Sequence, residues 1–184
     1  NVTAYHRAGH HIHIHTNGDE ASELATEMIG RAIAAHPRAD HRHTLQHCQM
    51  ASPAQFRRAK ALGVCVNLFA NHIWYWGEQH RSITMGPDRA ERLDACGSAL
   101  REGLTLSTGR LLGADERITV PQALRAITLG AAYTLKADHV IGSIDVGKFA
   151  DFAVLDEDPW TVPSMALKDI GVHATVLGGN VFMA

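Results

Sequence analysis

The chain has 184 residues, 46% of them hydrophobic and 20% charged, the balance of a globular domain rather than of a disordered or fibrous one. Lys and Arg number 17 against 19 Asp and Glu, giving a net charge of −2 with no basic run, which argues against a nucleic-acid or anionic-membrane surface and for a small-molecule partner. Apolar runs fall far short of the roughly 18–20 residues of a membrane span. Residues 1–8 have the character of neither a signal nor a transit peptide, and Cys48, Cys65 and Cys96 lack a Cys-x-x-Cys spacing, so the expected setting is a soluble, reducing cytoplasm.

In chain order, residues 1–8 read as the lead-in to a strand, and the start at Asn1 suggests processing or a missing N-terminal portion. Residues 10–16 alternate as a strand does, and Ala21, Leu24, Ala25, Met28, Ile29, Ala32 and Ile33 then recur at helical spacing before Pro37. A second strand is predicted at 43–48. After it, Ser52, Pro53 and Gln55 supply a capping box with a first-turn proline, and Gly63 ends the helix. Residues 64–69 form an apolar run of buried-strand type, residues 71–77 an aromatic loop, residues 87–101 a helix and residues 104–106 a further strand. A last helix spans 119–135 with Thr119 and Gln122 as its capping box, and glycines punctuate a β-rich tail from residue 141. Strand alternating with helix favours an α/β fold with a parallel sheet, either an open doubly wound sheet or part of a (β/α)8 barrel.

Thirteen histidines are the unusual feature of the composition. Alternation puts His11, His13 and His15 on one face of their strand, with His15 at the strand end, where active sites form in barrels. His47 holds the matching place on the next strand, so the two imidazoles can converge on one metal ion. His13 and His43 read either as supports of that pair or as satisfied interior residues, and Asp19 as the N-cap of its helix and an anchor of the turn beneath His15. His72, Trp74, Tyr75 and Trp76 have the composition of a pocket lining, or of a loop packed over a rim. Cys48, next to His47, falls on the opposite face by alternation, and Cys65 and Cys96 read as inert core thiols.

Three segments together resemble the amidohydrolase superfamily, in the family 3 branch that includes N-substituted formamide deformylase. They are His15-Thr16-Asn17-Gly18-Asp19, then Gln46-His47-Cys48-Gln49, and the tail running from Ile141-Gly142-Ser143 through Gly147-Lys148 and Ala150-Asp151 to Asp156. The resemblance covers the C-terminal part of such a protein. It implies the C-terminal half of a (β/α)8 TIM barrel over residues 1–140, with strands of a small β-sandwich over 141–184. It also implies metal ligation by His15 and His47 after the fifth and sixth barrel strands, with a divalent metal, zinc foremost, and substrate contacts from the aromatic segment after the seventh. The implied activity is hydrolysis of a carbon–nitrogen bond in an amide-like small molecule by metal-activated water. Deamination of an aminated heterocycle, a truncated noncatalytic metal-binding protein and self-association are left open.

Two family features are missing: the N-terminal ligand strands, and the aspartate expected shortly after Ser107, without which the proton-accepting residue is unknown. Since a barrel usually takes about 250 residues, a lost segment between Ser107 and Thr108 is the expectation.

Overall fold

Two consecutive strand–helix–strand units build the first sheet. The structure is a computed structural model that describes residues 1–69, 71–102 and 114–184, so the strand expected at 104–106 and the junction at Ser107–Thr108 lie outside the described residues. Strands β1 (His13–Thr16), β2 (Thr44–His47) and β3 (Cys65–Leu68) pair in parallel in that order, with His13 opposite Thr44 and Thr44 opposite Cys65. Helix α2 (Asp19–Ala35) crosses from β1 to β2 and α3 (Pro53–Ala61) from β2 to β3, as parallel neighbours require. The capping box of Ser52 and Gln55, with Pro53 in the first turn, opens α3 as its sequence predicts.

One face of this sheet is covered. Leu45, Val66 and Leu68 point into a core with Ala25 and Ile29 of α2, Phe56 and Ala59 of α3, and Ala95, Cys96 and Ala99 further along the chain. Each large aliphatic or aromatic side chain so buried contributes roughly 1.5–3 kcal/mol, so this layer holds the unit together. The opposite face is polar, closed at Thr44 and Cys65 and open toward His13 and His15: His13 Nδ1 lies 2.5 Å from Gln46 Nε2, and Gln46 Oε1 accepts from Asn67 Nδ2 at 2.5 Å, a polar ladder across all three strands.

Several expectations are corrected. Residues 1–8 form helix α1 (Val2–Arg7), held by the burial of His6 against α2 and β2 rather than by strand pairing. Asp19 is the first residue of α2, and its N-cap is Gly18. Residues 71–77 belong to helix α4 (Asn71–Gln79), which continues as a π-helical turn over His80–Thr84. Ile73 and Gly77, four residues apart, face inward there, which a run without proline permits. The helix expected over 87–101 is two, α5 (Pro87–Ala90) and α6 (Cys96–Arg101), separated where Asp94 takes φ +48°.

The final helical stretch starts on the capping box of Thr119 and Gln122 and runs as α7 (Val120–Arg125), a π-helical turn (Ala126–Gly130) and α8 (Ala131–Thr134). The tail is β-rich as predicted. Strands β4 (Phe152–Leu155), β5 (Val172–Leu177) and β6 (Asn180–Met183) form an antiparallel sheet in that order. Gly178 and Gly179 turn β5 into β6 at φ +56° and +82°, values that favour glycine in a two-residue hairpin. Ala174 and Val176 are buried, whereas β4 and β6 are exposed along their length.

Candidate metal centre

His15 and His47 meet although the pleat alone would separate them. In register, His15 lies beside Gln46 and Thr16 beside His47, so strict alternation would turn His47 toward the covered face with Leu45. The backbone at His47 and Cys48 instead enters the left-handed region, at φ +75° and +45°, a conformation uncommon for residues other than glycine. This ends β2 and swings the His47 ring to His15, with centroids 4.7 Å apart and planes at 71°. Cys48 turns under the sheet, 99% buried, with its Sγ 3.3 Å from Thr16 Oγ1.

A third imidazole joins them. His72, in the first turn of α4, has its ring centroid 5.3 Å from that of His47. Phe69 packs against both, its ring 5.7 Å from His47 and 4.9 Å from His72, so the three rings form a triangle. Next to this group, the buried Gln49 donates from Nε2 to His80 Nε2 at 3.0 Å, which leaves His80 Nδ1–H to donate to Thr84 Oγ1 at 2.8 Å.

Burial first, then the neighbouring imidazoles, holds His47 and His72 below the usual histidine range. Both are therefore neutral at physiological pH, the form that ligates metals. Their Nδ1 atoms are buried without a hydrogen-bond partner, an arrangement that costs roughly 1–3 kcal/mol per atom until something polar meets it. Imidazoles bound at about 2.0–2.1 Å to a tetrahedral ion have centroids about 5 Å apart, so the 4.7 Å spacing suits His15 and His47 as a pair on one zinc-like ion. Among the described residues no group of three or more His, Cys, Asp or Glu side chains is arranged to hold a metal.

The other residues singled out in the sequence are dispersed. His13 spends its Nδ1 on Gln46 in the open-face ladder. His43 lies at the opposite end of β2 from His47, fully buried against His6 and His41, so it supports the fold rather than the imidazole pair. Asp19 faces Arg89 at 2.8 Å, away from the histidines, and helps line a cavity of about 410 Å³ with Glu23, Gln55, Arg58 and Arg92 that includes none of the three imidazoles. Tyr75 and Trp76 are exposed on α4, because Ile73 and Gly77 take its inner face, and the Trp74 side chain lies outside the described residues.

Sequence reading missed Gln49, His80 and Asp94. Gln49 belongs to the Gln46-His47-Cys48-Gln49 segment that carries the family resemblance, whereas nothing in the pattern marks Asp94. The three cysteines are buried, and burial pushes the thiols of Cys48 and Cys65 up to about 11 and that of Cys96 to about 12, so all are inert protonated thiols.

Comparison with known proteins sets this geometry in context. A model described as amidohydrolase family matches residues 2–110 and 104–183, two stretches that overlap at 104–110. Protein LONG AFTER FAR-RED 3 of Arabidopsis thaliana is 27% identical over 208 aligned positions, covering 95% of this chain and 34% of its own length. N-substituted formamide deformylase of Arthrobacter pascens is 27% identical over 205 positions, covering 94% and 36%. The chain thus spans about a third of the length of these relatives. Among solved structures, an uncharacterized metal-dependent hydrolase from Pyrococcus furiosus superposes with a TM-score of 0.71 at 21% identity, over 87% of this chain and 37% of that one. An adenosine deaminase from Xanthomonas campestris with bound zinc gives 0.65 at 18% identity, over 98% and 47%. No helix among the described residues is long and apolar enough to cross a membrane.

Proposed function

The chain belongs to the amidohydrolase family, and from that premise we propose that it is the C-terminal portion of a metal-dependent hydrolase acting on a carbon–nitrogen bond of a small amide-like molecule. The observation that carries this reading is the convergence of His15 and His47 at the ends of adjacent parallel strands, with rings 4.7 Å apart. Residues 1–140 are then the C-terminal half of a (β/α)8 barrel and 141–184 strands of a small β-sandwich. The open polar face of the first sheet and the exposed strands of the second fit elements that await the remainder of a longer chain. The alignments with the two relatives run over 208 and 205 positions, more than the 184 residues here, and the family model's two stretches meet at 104–110, which together support a segment absent near Ser107–Thr108.

His15 and His47 would hold a divalent ion, zinc foremost, and further ligands would come from outside the described residues. When bound, such an ion polarises a substrate carbonyl and lowers the pKa of a water molecule. His72, held neutral by burial, would contact the substrate beside the pair. Gln49 and His80 buttress the rim, and the Phe69 ring packs against His47 and His72. The proton acceptor is unassigned, since the aspartate expected shortly after Ser107 is missing from this sequence.

The test is metal analysis of the full-length protein with turnover of a panel of formamides, simple amides and aminated heterocycles. Amide cleavage that disappears together with bound metal in His47→Ala, in a protein that keeps its circular dichroism, is the expected result. Full activity in a metal-free His47→Ala protein sinks the reading, and ammonia release from heterocycles alone assigns deamination instead.

A further inference from the structure

Asp94 is completely buried, between α5 and α6, at a point where the chain takes φ +48°. It touches both turns that carry the candidate imidazoles. Its own N–H donates to the Gln49 carbonyl at 2.9 Å, two residues beyond His47. Its Oδ1 accepts the Phe69 N–H at 3.1 Å, and the Phe69 carbonyl accepts the His72 N–H at 3.0 Å. The Phe69 peptide is therefore held at both ends, by Asp94 on one side and the start of α4 on the other, while its ring sits against His47 and His72.

We infer that Asp94 is a positioning residue of the hydrolytic site, a buried carboxyl clamp that ties the turn after β2 to the turn after β3 and thereby sets the spacing of His47 and His72. The inference rests on the metal-dependent reading above for its consequence, but its geometry stands without it. The other carboxyl oxygen, Oδ2, is buried with no hydrogen-bond partner, so the group is retained at a cost that filling space alone does not demand. Burial pushes the carboxyl up to about 8, partly offset by the Phe69 N–H, so the acid is mostly protonated at neutral pH and asparagine is its nearest stand-in.

The experiment compares wild type, Asp94→Asn, Asp94→Leu and Phe69→Leu in the full-length protein. It reads zinc affinity by chelator competition, kcat and KM on the best amide, and the imidazole nitrogen resonances of His47 and His72 without metal. Asp94→Asn keeps an acceptor for the Phe69 N–H and should hold zinc affinity within about threefold of wild type. Asp94→Leu and Phe69→Leu should each weaken zinc binding by roughly 10- to 100-fold, lower kcat more than they raise KM, and move both imidazole signals. Phe69→Leu keeps the backbone bonds and carries the test if Asp94→Leu does not fold. Zinc affinity and imidazole signals unchanged in a folded Asp94→Leu or in Phe69→Leu overturn the inference. Imidazole signals that move in a protein hydrolysing no amide leave the clamp standing and remove the hydrolase reading.

Discussion

His43 Nε2 lies 2.8 Å from His6 Nδ1, and the backbone decides which of the two carries the proton. Ile12 N–H points at His43 Nδ1 at 3.2 Å, so in the neutral ring Nε2 bears the hydrogen and donates to His6, whose Nε2–H then donates to the His36 carbonyl at 2.7 Å. His41 is wired the same way, accepting the His43 N–H at Nδ1 and donating from Nε2 to the Leu62 carbonyl. A proton added to His43 or His41 would face a hydrogen already in place. For His43 it would also add charge beside Arg38, whose Nη2 is 3.5 Å away.

Acid should therefore loosen this end of the fold. Burial, then the surrounding cations and imidazoles, lowers His43 to about 3, and burial likewise lowers His41. The unfolded chain takes up these protons near pH 6.5, so below that pH, and for His43 down to about 3, it binds more of them than the folded one, and stability falls as pH falls. Each such histidine contributes a slope of up to about 1.4 kcal/mol per pH unit. Urea midpoints at pH 7, 6, 5 and 4 check this, and His43→Leu should cost about 1–3 kcal/mol at pH 7 while flattening the acid slope. Equal slopes in the two proteins would remove His43 from the account.

The left-handed turn at His47 and Cys48 gives a second expectation. Valine is close to cysteine in size but β-branched, and at φ +45° it is strained by about 1–3 kcal/mol. Cys48→Val should relax the turn, let His47 swing away from His15 and lower zinc affinity, whereas Cys48→Ala keeps the backbone and binds as wild type does. Chelator competition separates the two. Equal loss in both variants would mean that packing at Cys48, and not backbone aim, governs His47.

What the sequence made legible follows from which signals are local. Both capping boxes, the strand–helix alternation and the β-rich tail were readable because each rests on residues within a few positions of one another. The pairing of His15 with His47 came from matching strand ends, but its real cause, two consecutive left-handed residues without a glycine, leaves no pattern. The aromatics of helix α4 suggest a loop lining, while the inward face of Ile73 and Gly77 is set by tertiary packing. Asp94 and His80 matter only through contacts with Phe69 and Gln49, 25 and 31 residues away, which spacing cannot reveal.

Gly142 joins the tail to the helical layer in a way that admits no side chain. It takes φ +90°, and a Cβ there would lie 2.6 Å from Ala132 Cβ and 3.0 Å from Leu129 Cα, atoms that cannot rotate away. Gly142→Ala should destabilise by roughly 1–3 kcal/mol and increase proteolysis between residues 135 and 150, leaving zinc affinity unchanged. Thermal melts with limited proteolysis check both parts, and a neutral substitution would mean that the tail is not seated on α8.

Arg42 fastens α8 to the start of β2, and its chemistry makes the contact hard to replace. Its Nε meets Asp40 Oδ1 at 2.6 Å, its Nη1 meets Asp138 Oδ1 at 2.6 Å and the Tyr133 carbonyl at 3.1 Å, and its guanidinium lies 3.9 Å over the Tyr133 ring. The Arg42 side chain is 16% exposed and Asp138 29%, so that pair is screened less than the one to Asp40, which is 58% exposed. A lysine ammonium has one charge centre and no planar face, so it cannot meet two carboxylates while stacking on the ring. Arg42→Lys is therefore expected to lose about 1–2 kcal/mol, much of what Arg42→Ala loses, as urea midpoints of the two variants check. Wild-type stability in the lysine variant would reduce the contact to simple charge and leave the seating of α8 to its apolar face.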